Sequence, residues 1–366
     1  MKLLHVYSGN LFGGVERMLV TLATTAPAGA THEFALTSEG QLQRELEGAG
    51  ARVMALGGVR ARRPDTVWRA RLRLRGLLAG GSFDAVICHS AWCQALFAAE
   101  AHRAGIRQIF WLHDAANGGH WIETWAARHR PDLAIANSEF TRSTLGAMYR
   151  GCASAVIHCP VPAPAPQTGA RDRVRAEMGV EPGQTVILQA SRLQAWKGHT
   201  VLLGALSRLA HRRDWTCWIA GGASTPEDRR YADGLRALAD GGRARFLGHR
   251  TDVAGLMTAA DVFCQPNLRP EPFGIALVEA LWSGLPAVTS AAGGALEVVT
   301  PETGWLVKPG CAAALAEALE ESLERPDLRA RLGARGPERA REVSDPAARQ
   351  AELIALAGAS DRRAAA

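Results

Sequence analysis

An α/β architecture of two doubly wound domains is predicted for this chain by three observations. Apolar strand patterns alternate with amphipathic helix patterns, and the alternation occurs in two sets. A proline run, Pro160-Val-Pro-Ala-Pro-Ala-Pro166, separates the sets. The length of 366 residues, at a prior of about 150 per domain, leaves room for two cores.

The first set predicts strands at 3–7, 33–37, 52–56, 85–88, 108–112, 133–136 and 155–158, with helices at 16–23, 42–47, 92–102 and 140–149. Nearly continuous apolar strands between amphipathic helices imply a parallel sheet covered on both faces. Within 59–75 stand seven arginines, and Val67, Ala70, Leu74, Leu77 and Leu78 form an apolar stripe at helical spacing. The four alternate prolines cannot continue a helix or a central strand, so they predict an extended, stiff linker. The second set predicts strands at 186–189, 217–220, 244–247, 262–265 and 287–289, and helices at 201–210, 231–239, 275–282 and 312–323. An amphipathic tail follows at 346–356. The expected boundaries are 1–159, a linker at 160–170, 171–345, and a terminal helix in 346–366.

Composition sets limits. Hydrophobic residues at 47% and charged residues at 21% describe an ordinary globular chain. Seven cysteines without a C-x-x-C pair indicate neither a zinc site nor a disulfide framework. Cys88, Cys217 and Cys264 lie in apolar strand runs and read as buried thiols, pointing to a reducing cytoplasm. The opening apolar stretch is too short for a signal peptide, and no run approaches the ~18 apolar residues of a membrane span. Net charge is +6, with 17 basic against 12 acidic residues in 1–165 and 25 against 24 in the rest. The arginine-rich segment 60–75 reads either as a surface for anionic lipid at the inner membrane face or as a solvated helix face. The second is the simpler reading, because with only three lysines Arg replaces Lys throughout. No aromatic and basic nucleic-acid motif accompanies the charge.

Four segments carry candidate chemistry. In Glu271-Pro-Phe-Gly-Ile-Ala-Leu-Val-Glu279, Pro272 and Gly274 mark a helix start whose free N–H groups attract anions. Glu279 then lies about 7 Å further along the axis, close to the span from a diphosphate to its ribose. Two carboxylates that merely offset the helix dipole are the alternative. In Ser191-Arg-Leu-Gln-Ala-Trp-Lys197-Gly198, two cations five residues apart follow a strand; Arg192 can fork two oxygens and Lys197 adds a point charge. Gly13-Gly14 sits between the first strand and helix, where backbone can approach a ligand closely. His113-Asp114 ends a buried strand. The turn after the first strand offers Gly9, Gly13 and Gly14 without a G-x-G-x-x-G, which argues against a dinucleotide fold.

Together, and in this order, these segments resemble the retaining GT-B glycosyltransferases of the family 4 type. The 271–279 segment is similar to that family's E-x7-E signature, and 191–198 to its S/G-R-x4-K-G element. Gly13-Gly14 is similar to its N-terminal glycine loop, and His113 to its strand-end histidine. The resemblance extends to 260–266 and to Gly293-Gly294 before Glu297, and covers most of the chain. It implies two Rossmann-like domains facing each other across a cleft, with the terminal helix returning to the first. It also implies transfer of a hexosyl unit from a nucleotide diphosphate sugar, UDP favoured over GDP, to a saccharide or lipid-linked acceptor. His113, Arg192, Lys197 and Glu271 then take catalytic positions; Gly14, Gly274, Ile275, Ala276 and Glu279 bind the donor. His249, Arg250 and Asp252 fall where the family reads the base, partly through main chain, although Asp252 also reads as an N-cap for 253–257. Without an Asp-x-Asp triplet, neither metal nor cofactor is expected. One departure stands at the linker, where Cys159-Pro160-Val161-Pro162 replaces the family's Pro-Asn-Gly-Val turn. An epimerase or hydrolase of the same architecture, a phosphorylase, a non-catalytic binding module and a transferase acting on small natural products remain alternatives; Lys2, Lys197 and Lys308 being the only lysines, a pyridoxal phosphorylase has little support.

Overall fold

A computed structural model describes residues 1–10, 12–239 and 242–359. The chain divides into two units, Met1–Pro162 with the segment from Ser344 onward, and Ala163–Val343. The first unit opens with β1 (Lys2–Tyr7), α1 (Gly14–Thr24), β2 (Thr31–Leu36), α2 (Gln41–Gly48), β3 (Arg52–Ala55) and α3 (Pro64–Gly80). It continues with β4 (Ala85–His89), α4 (Ala91–Arg103), β5 (Arg107–Leu112), α5 (Trp121–Ala126), β6 (Leu133–Ala136), α6 (Glu139–Thr144) and β7 (Ser154–Val156). The second unit holds α7 (Ala170–Glu177), β8 (Thr185–Ala190), α8 (His199–Arg208), β9 (Trp215–Ala220), α9 (Pro226–Leu238), β10 (Ala244–Gly248) and α10 (Val253–Ala259). After these come β11 (Val262–Gln265), α11 (Ile275–Trp282), β12 (Ala287–Ser290), α12 (Ala295–Val298), β13 (Gly304–Val307), α13 (Ala312–Glu324) and α14 (Pro326–Ser344). The final helix, α15 (Pro346–Gly358), belongs to the first unit and packs beside α1.

Both sheets are wholly parallel, ordered β3-β2-β1-β4-β5-β6-β7 and β10-β9-β8-β11-β12-β13. Each order reverses direction once, between β1 and β4 and between β8 and β11. Such switch points open a crevice at the carboxyl ends of the strands. On one face of the first sheet Leu4, Val6, Val86 and Cys88 meet Leu74 of α3 and Leu96 of α4, and on one face of the second Ile187, Cys217 and Cys264 meet Leu202 of α8 and Leu319 of α13.

Several elements depart from their sequence patterns for identifiable reasons. The helix expected at 140–149 stops at Thr144 and tightens into a 3-10 turn at Leu145–Ala147, where the Thr144 hydroxyl bonds back to the Thr141 carbonyl. β13 carries no long apolar run; Gly304 lets its backbone pass so close to Ala287 that a Cβ would strike the Ala287 carbonyl. α14 contains Gly333, Gly336 and Pro337, which read as breakers in sequence. Its glycines are used for contact: a Cβ on Gly336 would lie 2.6 Å from the Leu281 carbonyl oxygen, so α14 lies backbone to backbone against the end of α11. The proline run has no regular secondary structure, and its first residues are fastened by Val161 N–H donating to the Ser344 carbonyl at 3.0 Å.

On one face of the first sheet, four histidines lie side by side: His32 on β2, His5 on β1, His89 on β4 and His113 just after β5. Burial lowers the pKa of all four, His5 and His89 strongly and His113 to about 3. These rings are neutral in the folded chain, whereas unfolding returns them to about 6.5. The unfolded state therefore binds more protons at mildly acid pH, so stability is full above about 6.5 and falls as pH drops toward 3. The unfolding free energy of the first unit, measured in urea, should decline between pH 7 and pH 5, by up to about 1.4 kcal/mol per pH unit per ring, and the midpoint with it. A midpoint constant over that range would contradict the neutral row.

Candidate functional site

The second unit's switch point gathers the motif residues. From β8 the chain runs through Ser191 and Arg192 into a 3-10 turn at Ala195–Lys197, then through Gly198 into α8. Gly198 has φ +74°, and a Cβ there would collide with the Pro266 carbonyl of the segment leaving β11. The Leu268 N–H also donates to the Trp196 carbonyl at 2.8 Å. Glycine at 198 thus lets the two strand-end loops of the switch point touch.

That contact brings Lys197 and Glu271 together. The ammonium lies 2.7 Å from Glu271 Oε2, with the two side chains only 11% and 13% exposed. Gln265 Nε2 and Asn267 Nδ2 donate to the same oxygen at 3.1 and 2.5 Å. The Trp196 ring lies 3.9 Å from the Lys197 ammonium. Two buried acceptors, Gln265 Oε1 and Asn267 Oδ1, have no partner among the described residues. Groups of this kind need a donor, such as water or a ligand hydroxyl. Gln265 and Asn267 were not singled out in the sequence, although polar residues at the end of an apolar strand were the available signal.

Glu271 is pinned through its main chain. It forms a parallel bridge with Gly293, and its carbonyl accepts from Gly294 N–H at 2.7 Å. A Cβ on Gly294 would lie 2.6 Å from Phe273 Cα, so the Gly293-Gly294 pair admits the Glu271 loop. Three residues on, Gly274 turns left-handed (φ +106°) as the N-cap of α11 and supplies no side-chain cap. The Ile275 and Ala276 amides therefore open the helix without a side-chain acceptor among the described residues, the arrangement that suits an anion. Glu279 sits partly buried one turn and a half into α11. Arg192 is exposed, and its guanidinium has no hydrogen-bond or ion-pair partner among the described residues.

The three base-side candidates divide. Asp252 occupies the N-cap position of α10 but does not cap it. Its carboxylate instead pairs fork to fork with Arg250, at 2.8 and 2.6 Å, and that pairing holds its pKa below the usual carboxylate value. Arg250 also reaches Glu177 at 3.5 Å. His249 is exposed and packs against Gly222.

In the first unit Gly13 is the N-cap of α1 and Gly14 its first residue. Glu16 folds back, accepting from Gly13 N–H at 2.9 Å and from the Tyr7 hydroxyl at 2.9 Å. A carboxylate already occupies this helix end. His113 stands at the carboxyl end of β5, its carbonyl accepting from Asn137 at 3.2 Å. Its Nδ1 is buried without a partner among the described residues. The histidine row and Ser90, a non-glycine residue at φ +88° after His89, carried no sequence signal beyond their strand positions.

The arginine-rich segment is largely committed within the fold. Arg71 and Arg73 donate to the Leu96 and Leu56 carbonyls, Arg75 binds the Glu100 carboxylate at 2.5 Å, and Arg69 binds Asp65. Trp68 and Leu72 remain exposed one turn apart on α3. No helix among the described residues is long and apolar enough to cross a membrane. All seven cysteines are free, five of them buried.

Two parallel doubly wound units, the second with an anion-receptive helix end beside a lysine–glutamate pair, make up the fold and its candidate site. A family model described as "Glycosyl transferases group 1" matches residues 170–339, and one described as "Glycosyltransferase Family 4" matches residues 12–163. The chain belongs to the GT-B glycosyltransferases of this family 4, group 1 type. It is similar to a phosphatidyl-myo-inositol mannosyltransferase of Mycobacterium leprae, 36% identical over 185 residues, which is 48% of each chain. It is also similar to a GDP-mannose-dependent monoacylated alpha-(1-6)-phosphatidylinositol monomannoside mannosyltransferase of Corynebacterium glutamicum, 34% identical over 45% of each chain. The chain spans about half the length of the curated relatives it matches. The Anabaena protein HepE, solved with UDP and glucose, shares the fold with a TM-score of 0.84 at 24% identity, over 97% of this chain and 99% of that one.

Lys197 and Glu271 should be energetically coupled. Removing one partner alone, as in Lys197→Met or Glu271→Gln, leaves the other buried and should destabilise the second unit by on the order of 3 kcal/mol. The double substitution should cost less than the sum of the singles in urea unfolding. Simple additivity would show that the pair is not formed in solution.

Proposed function

We propose that this chain transfers a hexosyl unit from a nucleotide diphosphate sugar, with retention at the anomeric carbon, to a lipid-linked or inositol-type acceptor. The observation that carries this reading is the Lys197–Glu271 pair at the β8/β11 switch point, next to the open N-terminus of α11. The names of the relatives support the acceptor class. The sequence reading favours UDP as the donor base, and one relative is named for GDP-mannose.

In the reaction the bond from the anomeric carbon to the phosphate oxygen breaks and the acceptor oxygen bonds that carbon. The acceptor's proton passes to the departing phosphate, in the front-face manner drawn for this family. Negative charge grows on the diphosphate, so catalysis rests on electrostatic stabilisation of the leaving group. Arg192, Lys197 and the amides of Gly274, Ile275 and Ala276 supply it as fixed positive charge and oriented dipoles. Glu271, with Gln265 and Asn267, orients sugar hydroxyls; His113 takes another, Gly14 lies along the donor, and Glu279 accepts from the ribose. Because the Arg250 and Asp252 side chains are paired with each other, the base meets the main chain there and the exposed His249 ring.

Ribose contacts are the same in ground and transition states, so loss of Glu279 should raise KM more than it lowers kcat. Glu271 orients the reacting sugar, so its loss should fall on kcat. Calorimetry with UDP and GDP, which lack the sugar, should show affinity for the preferred diphosphate reduced in Glu279→Gln and nearly unchanged in Glu271→Gln. Equal losses in both variants would overturn the division of roles.

The fixed cationic clamp also makes a divalent ion unnecessary. Transfer should persist in excess chelator, while Arg192→Ala should lower turnover by roughly two to three orders of magnitude. A loss on chelation that magnesium restores would contradict the clamp.

A further inference from the structure

The four neutral histidines of the first unit are joined head to tail. His113 Nε2 meets His89 Nδ1 at 2.9 Å, His89 Nε2 meets His5 Nδ1 at 2.9 Å, and His5 Nε2 meets His32 Nδ1 at 2.8 Å. His32 Nε2 ends the row on Gln350 Oε1 of α15, at 2.8 Å. Each nitrogen between the two ends faces one other ring, so the row is a line of hydrogen bonds and does not converge on a metal. Among the described residues, no cluster of metal-ligating groups is found there or elsewhere.

A neutral imidazole carries one N–H and one lone pair, and every bond between two such rings needs one proton. The row therefore has only two consistent states. Either every Nε2 is protonated and the bonds point toward Gln350, or every Nδ1 is protonated and they point toward His113. The end group selects between them. Gln350 Nε2 donates to Thr25 Oγ1 at 2.7 Å and to the Leu22 carbonyl at 3.4 Å. The Thr25 hydroxyl spends its own proton on the Thr21 carbonyl at 2.7 Å, so toward Gln350 it can only accept. Turning the amide over would set Oε1 against two acceptors. Gln350 Oε1 accordingly faces His32 as an acceptor, and His32 Nε2 must carry a proton.

We propose that Gln350 is a positioning residue: through His32, His5 and His89 it fixes His113 as the Nε2–H tautomer, leaving Nδ1 a bare acceptor for a substrate hydroxyl. The buried Nδ1 without a partner is where this polarity emerges. Burial keeps the rings neutral, because a proton added to any one of them would be a desolvated charge, and at His89, His5 or His32 it would also set two N–H groups against each other. The terminal helix α15 thereby sets the hydrogen-bonding sense of a residue at the carboxyl end of β5. That His113 meets substrate rests on the proposed function; the tautomer does not.

The test reads the ring nitrogens directly, by 15N NMR on the full chain labelled at histidine and without substrate. Wild type should show His113 with a protonated Nε2 and an unprotonated Nδ1, assigned by comparison with His113→Asn. Gln350→Leu removes the terminal acceptor, so His113 should shift partly or wholly to Nδ1–H, and the donor KM should rise by roughly five- to tenfold, about the worth of one neutral hydrogen bond. Gln350→Glu keeps an acceptor at the same place and should retain the Nε2–H state. A wild-type spectrum with Nδ1–H at His113 overturns the proposal, even if no variant folds. So does an unchanged tautomer in Gln350→Leu. Should the tautomers behave as stated while His113→Asn keeps full activity, the relay stands and the placing of His113 at the substrate fails instead.

Discussion

Parallel strands covered by helices on both faces leave polar chemistry only one place to go. The backbone of each interior strand is paired along both edges and its side chains are packed above and below, so water and ligands meet the sheet at its carboxyl ends. Where two neighbouring strands send their chains in opposite directions, the helices diverge and a crevice opens. In the second unit those strands are β8 and β11, and the loops leaving them carry Lys197 and Glu271. The close approach of Gly198 to Pro266, and of Gly293-Gly294 to the Glu271 loop, follows from the same constraint. Two loops that leave adjacent strands must share a space too narrow for side chains at every position.

Buried polarity is met in two ways, by ion pairs in both units, Glu100 with its arginines in the first, and by a neutral row in the first. In the second unit, opposite charges neutralise each other: Lys197 with Glu271 and Arg175 with Asp261. A buried pair holds itself together only while both members are present, which makes such sites stiff and sensitive to loss of either partner. In the first unit the polar row is neutral. Four imidazoles satisfy one another across β2, β1, β4 and the end of β5, and a glutamine closes the line. A neutral row has direction in place of charge. Its weakness is acid, since a proton added to any ring places a charge in a buried site.

The basic character of the chain follows the same logic. Arginine is abundant because it anchors helices to neighbouring backbone as well as carrying charge. Arg71 and Arg73 on α3 reach carbonyls of residues 96 and 56, and Arg175 reaches the carbonyls of Ala259 and Gln184. A planar guanidinium can satisfy several such acceptors at once while its stem packs on apolar surface. What reads in sequence as a cationic stretch at 59–75 is therefore, for four of its arginines, part of the internal bonding of the first unit.

Alternating strand and helix patterns were enough to determine the two parallel sheets, because period and apolar run length are local properties. They also put Arg192, Lys197, His113 and Glu271 after apolar strands, while the grouping of these residues into one site came from the resemblance. Elements whose reason is non-local escaped. β13 exists because Gly304 lets it lie against β12, and α14 persists through Gly333, Gly336 and Pro337 because its glycines press onto the end of α11. The roles of individual polar atoms escaped as well. Sequence order could not show that Lys197 and Glu271, 74 residues apart, share a hydrogen bond, or that Asp252 serves Arg250 and not the helix it precedes. Nor could it show that His5, His32, His89, His113 and Gln350 form one line, because strands that are distant in sequence become neighbours only when the sheet order is set. Periodicity determines which face of an element is buried; only the tertiary packing decides which buried polar group meets which.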